Sequence, residues 1–530
     1  MRDDFDYDWL VVGSGFGGSV SALRLSEKGY RVGVIEAGRR YEDDDFAKTT
    51  WNLRRFLWAP AIGLRGTLRI WVFKDVAILA GCGVGGGSLV YANTLYVPPR
   101  AFFEAPEWHG VADWESELAP HYEQAERMLG AVDVDFDTSA DRLLREVGEQ
   151  LGVADTYRRP KVGVYFGKPG ETVADPFFGG RGPARTGCVR CGSCMVGCRH
   201  GAKNTLMKNY LYLAEAEGAR IVPDRTVMDV RPLGAADGRD GYAVTSVRSG
   251  AWFRRREQTL TARGVVFAAG AVGTNFLLRR CKEASSLPRL SERLGEAVRT
   301  NSEALLAVTA KDDRYDFADS IAITSSIYPD DVTHVENVTY GRGGDAMSLL
   351  FTLLTEGGTR LTRPLRWIGQ ILRHPINSVR LAWPRKWSQR TIILLVMQTL
   401  NSSLRLRPVK IGKRVLLQTE QDPDNPNPTY IPAANKAAEV LAERMGGMAQ
   451  SNVTEAILNT PATAHILGGA VIGADPEHGV IDPRQRVFGY ENLLVCDGSA
   501  VPANPGVNPS LTITALAERA MTHVPAAPRG

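Results

Sequence analysis

Four cysteines crowd into one short loop as Cys188-x2-Cys191-x2-Cys194-x3-Cys198. Thiolates at this spacing are the ligands of the bacterial ferredoxin run and hold iron–sulfur clusters such as [4Fe–4S]. Two features depart from that run. Arg199 stands where proline usually follows, and with only one run a single cluster would take its fourth ligand from Cys198 or from a remote thiol such as Cys82, Cys281 or Cys496. Tetrahedral zinc, with His200 as a spare ligand, and a reduced metal-free loop are the alternatives.

A second pattern carries phosphate chemistry. The apolar run Trp9 to Val12 enters Gly13-Ser14-Gly15-Phe16-Gly17-Gly18, and a helical pattern follows through Val20, Leu23 and Leu25. In that strand–turn–helix context Gly13 permits the turn, Gly15 lets a pyrophosphate approach the backbone, Gly18 allows helix to pack on strand, and the helix N-terminus attracts the anion. The next strand, Arg31 to Ile35, ends at Glu36, placed to accept hydrogen bonds from a ribose diol. The pattern predicts a dinucleotide site.

The 530 residues, 44% of them hydrophobic, suffice for two or three compact units. The 63 Lys and Arg nearly balance 59 Asp and Glu for a net charge of +4, which gives no general argument for nucleic acid as a partner. The aspartate-rich start, MRDDFDYDW, lacks the basic and apolar regions of a secretory signal, and no apolar run approaches 18 residues. The expected location is the cytoplasm, with peripheral membrane contact left open. Clustered cysteines in such a setting point to metal or redox chemistry more than to structural disulfides.

Further glycine-rich segments extend the dinucleotide pattern: Gly81 to Ser88 (GCGVGGGS), Glu36-Ala37-Gly38, Ala268 to Thr274 (AAGAVGT), Cys496-Asp497-Gly498-Ser499, and Gly506 to Ile513 (GVNPSLTI). Together they resemble the glucose–methanol–choline (GMC) oxidoreductases, and within them the bacterial cholesterol oxidase branch, from about residue 6 to 525 and least between 300 and 460. The resemblance implies a doubly wound, Rossmann-type α/β domain that binds FAD. That domain would be assembled from residues 1–102, 204–302 and 462–530. An inserted α+β substrate domain would comprise 103–203, with the cysteine loop 188–198, and 303–461. It also implies FAD contacts at Gly13, Gly15, Phe16, Gly17, Gly18, Glu36, Ala37, Gly83, Gly86, Gly87, Ser88, Asn93, Ala269, Gly270, Asp497, Gly498, Asn508 and Pro509, with Val227 near the adenine. The FAD is expected to be released by acid, with Cys82 or a neighbour the only candidate for covalent attachment.

Oxidising an alcohol requires a hydrogen-bonding base beside the flavin. By resemblance His465 is that base and Asn508 positions the substrate or the reduced flavin; interior packing and turn chemistry are the alternative roles for the two residues. Family members that also isomerise a steroid double bond use a glutamate, and Asp345 aligns with it, with Glu336 the other nearby acid. The implied substrate is a hydrophobic alcohol, foremost a sterol 3-hydroxyl. Its rivals are a long-chain or polyol alcohol and a non-enzymatic electron-transfer module. A cluster in the cysteine loop would send electrons to a carrier protein instead of oxygen. Finally, from Gly357 to Arg390 there are eight basic residues and no acid, interleaved with Trp367, Ile368, Leu372, Leu381, Trp383 and Trp387, and Trp51 to Lys74 is similar in character. Either stretch suits a bilayer surface or, equally, a buried helix pair with a solvated basic edge.

Overall fold

The computed structural model describes residues 5–108, 110–253, 256–412 and 414–528. Strand Tyr7–Val12 ends in four consecutive buried residues, as expected for a parallel strand covered on both faces. It pairs in parallel with Val32–Ile35 on one side and with Gln258–Phe267 on the other. Arg220–Val222 extends the sheet beyond Val32–Ile35, and Leu493–Val495 lies parallel to the end of Gln258–Phe267. Tyr242–Arg248 and Arg225–Pro232 complete the seven strands as an antiparallel edge. Helix Phe16–Glu27 packs on this sheet and against helix Ser510–Thr522, so the two chain ends share one core.

Helix Trp114–Leu129, capped by Asp113 and ended by left-handed Gly130, packs against Ser510–Thr522. Its Trp114, Leu118 and Tyr122, with Phe103 and Trp108, are buried in the core of this layer. The segment from residue 103 to 129 therefore packs with the seven-stranded unit, although its sequence position suggested the substrate unit. The reason is its apolar face, which covers the helix that ends the chain.

The second layer is a six-stranded antiparallel sheet in the order Ile323–Ile327, Thr333–Val338, Thr391–Gln398, Ala304–Ala310, Gly447–Asn452, Phe351–Leu353. Period-two alternation divides its residues between two apolar clusters. Leu306, Val308, Leu394 and Val396 face helices Ser139–Gln150 and Pro432–Met445, whereas Ala307, Ile393 and Leu395 face the first layer. Between the layers, Ala462–Thr463 pairs with Ala77–Gly81 and leads directly to His465. Among the described residues no helix is long and apolar enough to cross a membrane.

Candidate active site

The two glycine-rich loops meet over one serine. Ser14 donates from its backbone N and from Oγ to Glu36 Oε2 at 3.0 and 2.8 Å, and its Oγ accepts from the Gly85 amide at 3.1 Å. The Gly38 amide donates to Glu36 Oε1 at 2.7 Å. Burial raises the Glu36 carboxyl above its ordinary range, and these donors oppose the rise. Two glycines are required for opposite reasons. A Cβ at Gly15 would meet nothing within 4 Å, leaving the backbone open to approach, whereas a Cβ at Gly17 would stand 1.5 Å from the Cys496 carbonyl oxygen.

Gly15, Phe16, Gly17, Gly87, Ala269 and Gly270 line a cavity of about 340 Å³, together with Asp497, Gly498, Asn508 and Pro509. Asp497 joins strand end to helix by accepting from the Gly270 amide at 2.8 Å and Thr274 Oγ1 at 2.6 Å. Gly13, Gly18, Ala37, Gly83 and Gly86 belong to the turns behind this cavity and do not line it. Ser88 is occupied elsewhere: its Oγ donates to the Gly85 carbonyl and accepts from the Leu206 amide, holding the second glycine loop in place. Val227 is buried in strand Arg225–Pro232, away from the cavity lining. Asn93 has left-handed backbone and is buried beside Cys194.

The polar end of the cavity is a line of four side chains. The buried Glu303 carboxylate hydrogen-bonds His465 Nδ1 through Oε1 and accepts the Ala464 amide at Oε2, 2.8 Å away. His465 Nε2 lies 3.5 Å from Asn508 Nδ2, and Asn508 Nδ2 donates to Glu336 Oε2 at 3.2 Å. The Glu336 carboxyl is pushed up to about 8, chiefly by burial; Glu303 adds to the rise and the Asn508 bond opposes it. Glu336 Oε1 and Asn508 Oδ1 are buried without a partner. The neighbouring His334, stacked on Tyr328 at 4.5 Å, is held down to about 3 by burial.

The structure places His465 and Asn508 side by side and sets the two nearby acids differently. Asp345 accepts from the Ser388 amide and Oγ at 2.9 and 2.8 Å and does not line the cavity. The acid that meets Asn508 is Glu336, from strand Thr333–Val338. Glu303 was missed. It precedes strand Ala304–Ala310 in a segment without a motif, and only the fold turns it toward His465.

The four loop cysteines are free thiols around a small second cavity, with Cys191 exposed. Burial and neighbouring thiols raise Cys188 to about 12 and Cys194 to about 11. Buried Lys203, lowered to about 7 by desolvation, donates to the Cys194, Leu89 and Tyr91 carbonyls and fastens the loop beneath the second glycine segment. Among the described residues no group of three or more His, Cys, Asp or Glu side chains is placed to hold a metal ion. As they stand, the four thiols do not form an iron–sulfur or zinc site.

Two GMC oxidoreductase family models match this chain, over residues 184–294 and 388–517. The chain belongs to the GMC oxidoreductase family and is an oxidoreductase acting on CH–OH groups. Over 97% of its length it is 52% identical to the cholesterol oxidase of Mycobacterium tuberculosis (strain ATCC 25618 / H37Rv), covering 90% of that protein. It is 46% identical to the cholesterol oxidase of Acinetobacter baumannii over 99% of this chain and 95% of the relative. The fold matches formate oxidase with a TM-score of 0.62 at 14% identity, covering 97% of each chain. It matches pyridoxine 4-oxidase from Mesorbium loti with a TM-score of 0.60 at 16% identity, over 97% of this chain and 98% of the other. The cofactor implied by this family is FAD, and the residues fit it: the approachable Gly15 backbone, the Glu36 carboxyl, and the buried, unpartnered Oδ1 of Asn508.

Proposed function

We propose that the protein oxidises the 3-hydroxyl of a sterol, with the seven-stranded unit holding FAD and the six-stranded unit covering the substrate. The observation that carries this reading is a polar histidine–asparagine pair set against an apolar wall from the six-stranded sheet. That wall is Leu305, Ile323, Val338, Met347, Ile393 and Leu395, which suits fused rings better than a polyol. The similarity to cholesterol oxidases supports the same substrate class.

The bound FAD supplies the acceptor for the hydride that leaves the carbinol carbon. His465 takes the proton. With Nδ1–H directed at Glu303, the Nε2 lone pair faces the cavity and can accept the hydroxyl hydrogen. Asn508 Nδ2 is engaged by Glu336, and its free Oδ1 offers an acceptor that fixes the substrate hydroxyl. Glu336, its carboxyl raised to about 8 and held on Asn508, is the group suited to shifting a steroid double bond, its ionised form taking a proton from one carbon and returning it to another. Anaerobic titration of flavin-loaded protein with sterols, hydroxysteroids, fatty alcohols and sugars tests the reading. Sterols should bleach the flavin; bleaching by fatty alcohols or sugars with sterols inert would overturn it.

Electron delivery to a carrier protein through an iron–sulfur cluster is the second reading. One observation favours it: Cys194 adjoins Met195, which lines the substrate cavity. The thiols would have to close in around the cluster. Iron and acid-labile sulfide in anaerobically purified protein would support this route, and their absence excludes it.

A further inference from the structure

Helix Thr362–Arg373 is inside out. Its inward side chains are polar anchors: buried Arg363 donates to the Thr429 carbonyl and to Asn459 Oδ1, and Trp367 Nε1 donates to Thr352 Oγ1. Its outward stripe, spaced by four, three and four residues, is Leu361, Leu365, Ile368 and Leu372, which are 81, 66, 45 and 76% exposed. The following helix, Pro375–Ala382, continues the pattern with Ile376, Val379 and, at its end, Trp383, each about 70% exposed. A water-facing helix normally buries such a stripe. Contiguous apolar patches of this kind on a soluble surface mark a place where something else binds.

The charges around the stripe say what binds. The segment from 357 to 390 contains no acidic residue. Arg366, Arg373 and Arg380 are exposed, and none is salt-bridged among the described residues. An apolar stripe flanked by unpaired cations matches a bilayer surface, where the chains receive the leucines and anionic headgroups receive the guanidiniums. An acidic protein would satisfy the arginines but gives no reason for an aliphatic ridge without polar groups.

The surface also adjoins the site. Both helices pack on strand Phe351–Leu353, whose Phe351 lines the substrate cavity beside Leu350, while Leu349 is 64% exposed. We propose that these two helices dock the protein on an anionic phospholipid bilayer, with the cavity beside the docked surface, so that an apolar alcohol passes from lipid to site without crossing water. The delivery role rests on the sterol reading; the docking does not.

Full-length, flavin-loaded protein is sedimented with vesicles of phosphatidylcholine alone or with 30% (about one lipid in three) phosphatidylglycerol. Binding should require the anionic lipid and weaken with salt. Arg366→Glu/Arg373→Glu/Arg380→Glu and, separately, Leu365→Ser/Leu372→Ser/Val379→Ser should each reduce binding by about tenfold or more. Both variants should oxidise detergent-dispersed sterol at the unaltered rate and vesicle-borne sterol more slowly. Variants that bind as the parent does would overturn the proposal. So would a parent protein that ignores vesicles, and in particular one that self-associates through this face by sedimentation velocity. If detergent-dispersed sterol is not oxidised by the parent protein, the sterol reading fails while the vesicle data still decide the docking.

Discussion

The two sheets face the same cavity with different materials. The seven-stranded sheet presents backbone: glycine turns at Gly15 and Gly270, with Asp497, the carboxylate that lines the cavity, bonded to the amides around it. The six-stranded sheet and the loops beside it present side chains. Glu336 lies within this sheet and Glu303 immediately before it, and together they flank His465 and Asn508 with buried, partly unsatisfied groups. Backbone donors bind a fixed anion and need no titration. A buried side chain can hold and move a proton, as at Glu336, whose carboxyl burial brings toward neutrality.

The comparison breaks first at His465. His465→Ala should lower the rate constant for flavin reduction by about 100- to 10,000-fold with little change in substrate affinity, since a general base acts as charge develops on the substrate oxygen. Stopped-flow reduction measures it, and unaltered kinetics would remove histidine from the mechanism.

Glu303→Gln tests whether its neighbour is set by charge or only by shape. A hydrogen bond to an ionised group contributes about 1.5–3 kcal/mol, so reduction should slow by roughly 10- to 100-fold. The acid limb of the pH–rate profile should move as well, which a purely structural loss would not produce.

Glu336 sharpens the comparison through stability. Its carboxyl is protonated in the folded protein up to about pH 8 and ionised in the unfolded chain above the ordinary 4.5. The folded state therefore holds the extra proton, and stability falls as pH rises through that window. His334, held near 3, acts with the opposite sign only below its ordinary 6.5. Between pH 6.5 and 8 the fall in Tm should thus be shallower in Glu336→Gln, with Glu455, raised to about 7, leaving a residual slope. Equal slopes in parent and variant would contradict the buried neutral acid. The same variant should lose steroid double-bond isomerisation while retaining alcohol oxidation.

The smallest effect is expected at Asp345. Asp345→Ala removes two hydrogen bonds to Ser388 and should cost about 1–2 kcal/mol of stability, with activity within about twofold of the parent. A large loss of turnover would return this residue to the site.

The difference between the sheets also explains what was legible in the sequence. Glycine spacing is local, so the strand–turn–helix at residues 7–27 and the acid at 36 could be read from one stretch of chain. The contact between Glu303 and His465 joins residues far apart in the chain, and neither strand pattern nor composition announces it. Asp345 and Glu336 lie close in sequence, yet only the register of Thr333–Val338 against its neighbours turns the glutamate inward. The outward leucines at 361–372 read equally well as a buried face, because periodicity gives the stripe and not its direction.

The Cys496 carbonyl against Gly17 fixes the order in which the molecule can be finished. The first glycine turn emerges early from the ribosome, but the strand Leu493–Val495 that completes its sheet and the helix Ser510–Thr522 that covers it come last. Until residues 493–522 are made, the nascent N-terminal half displays an incomplete sheet and the apolar sides of Phe16–Glu27 and Trp114–Leu129. Such long-range closure is slow and exposes sticky surface. Chaperone supply and flavin availability at chain release, more than the stability of the finished enzyme, should set the yield of active protein.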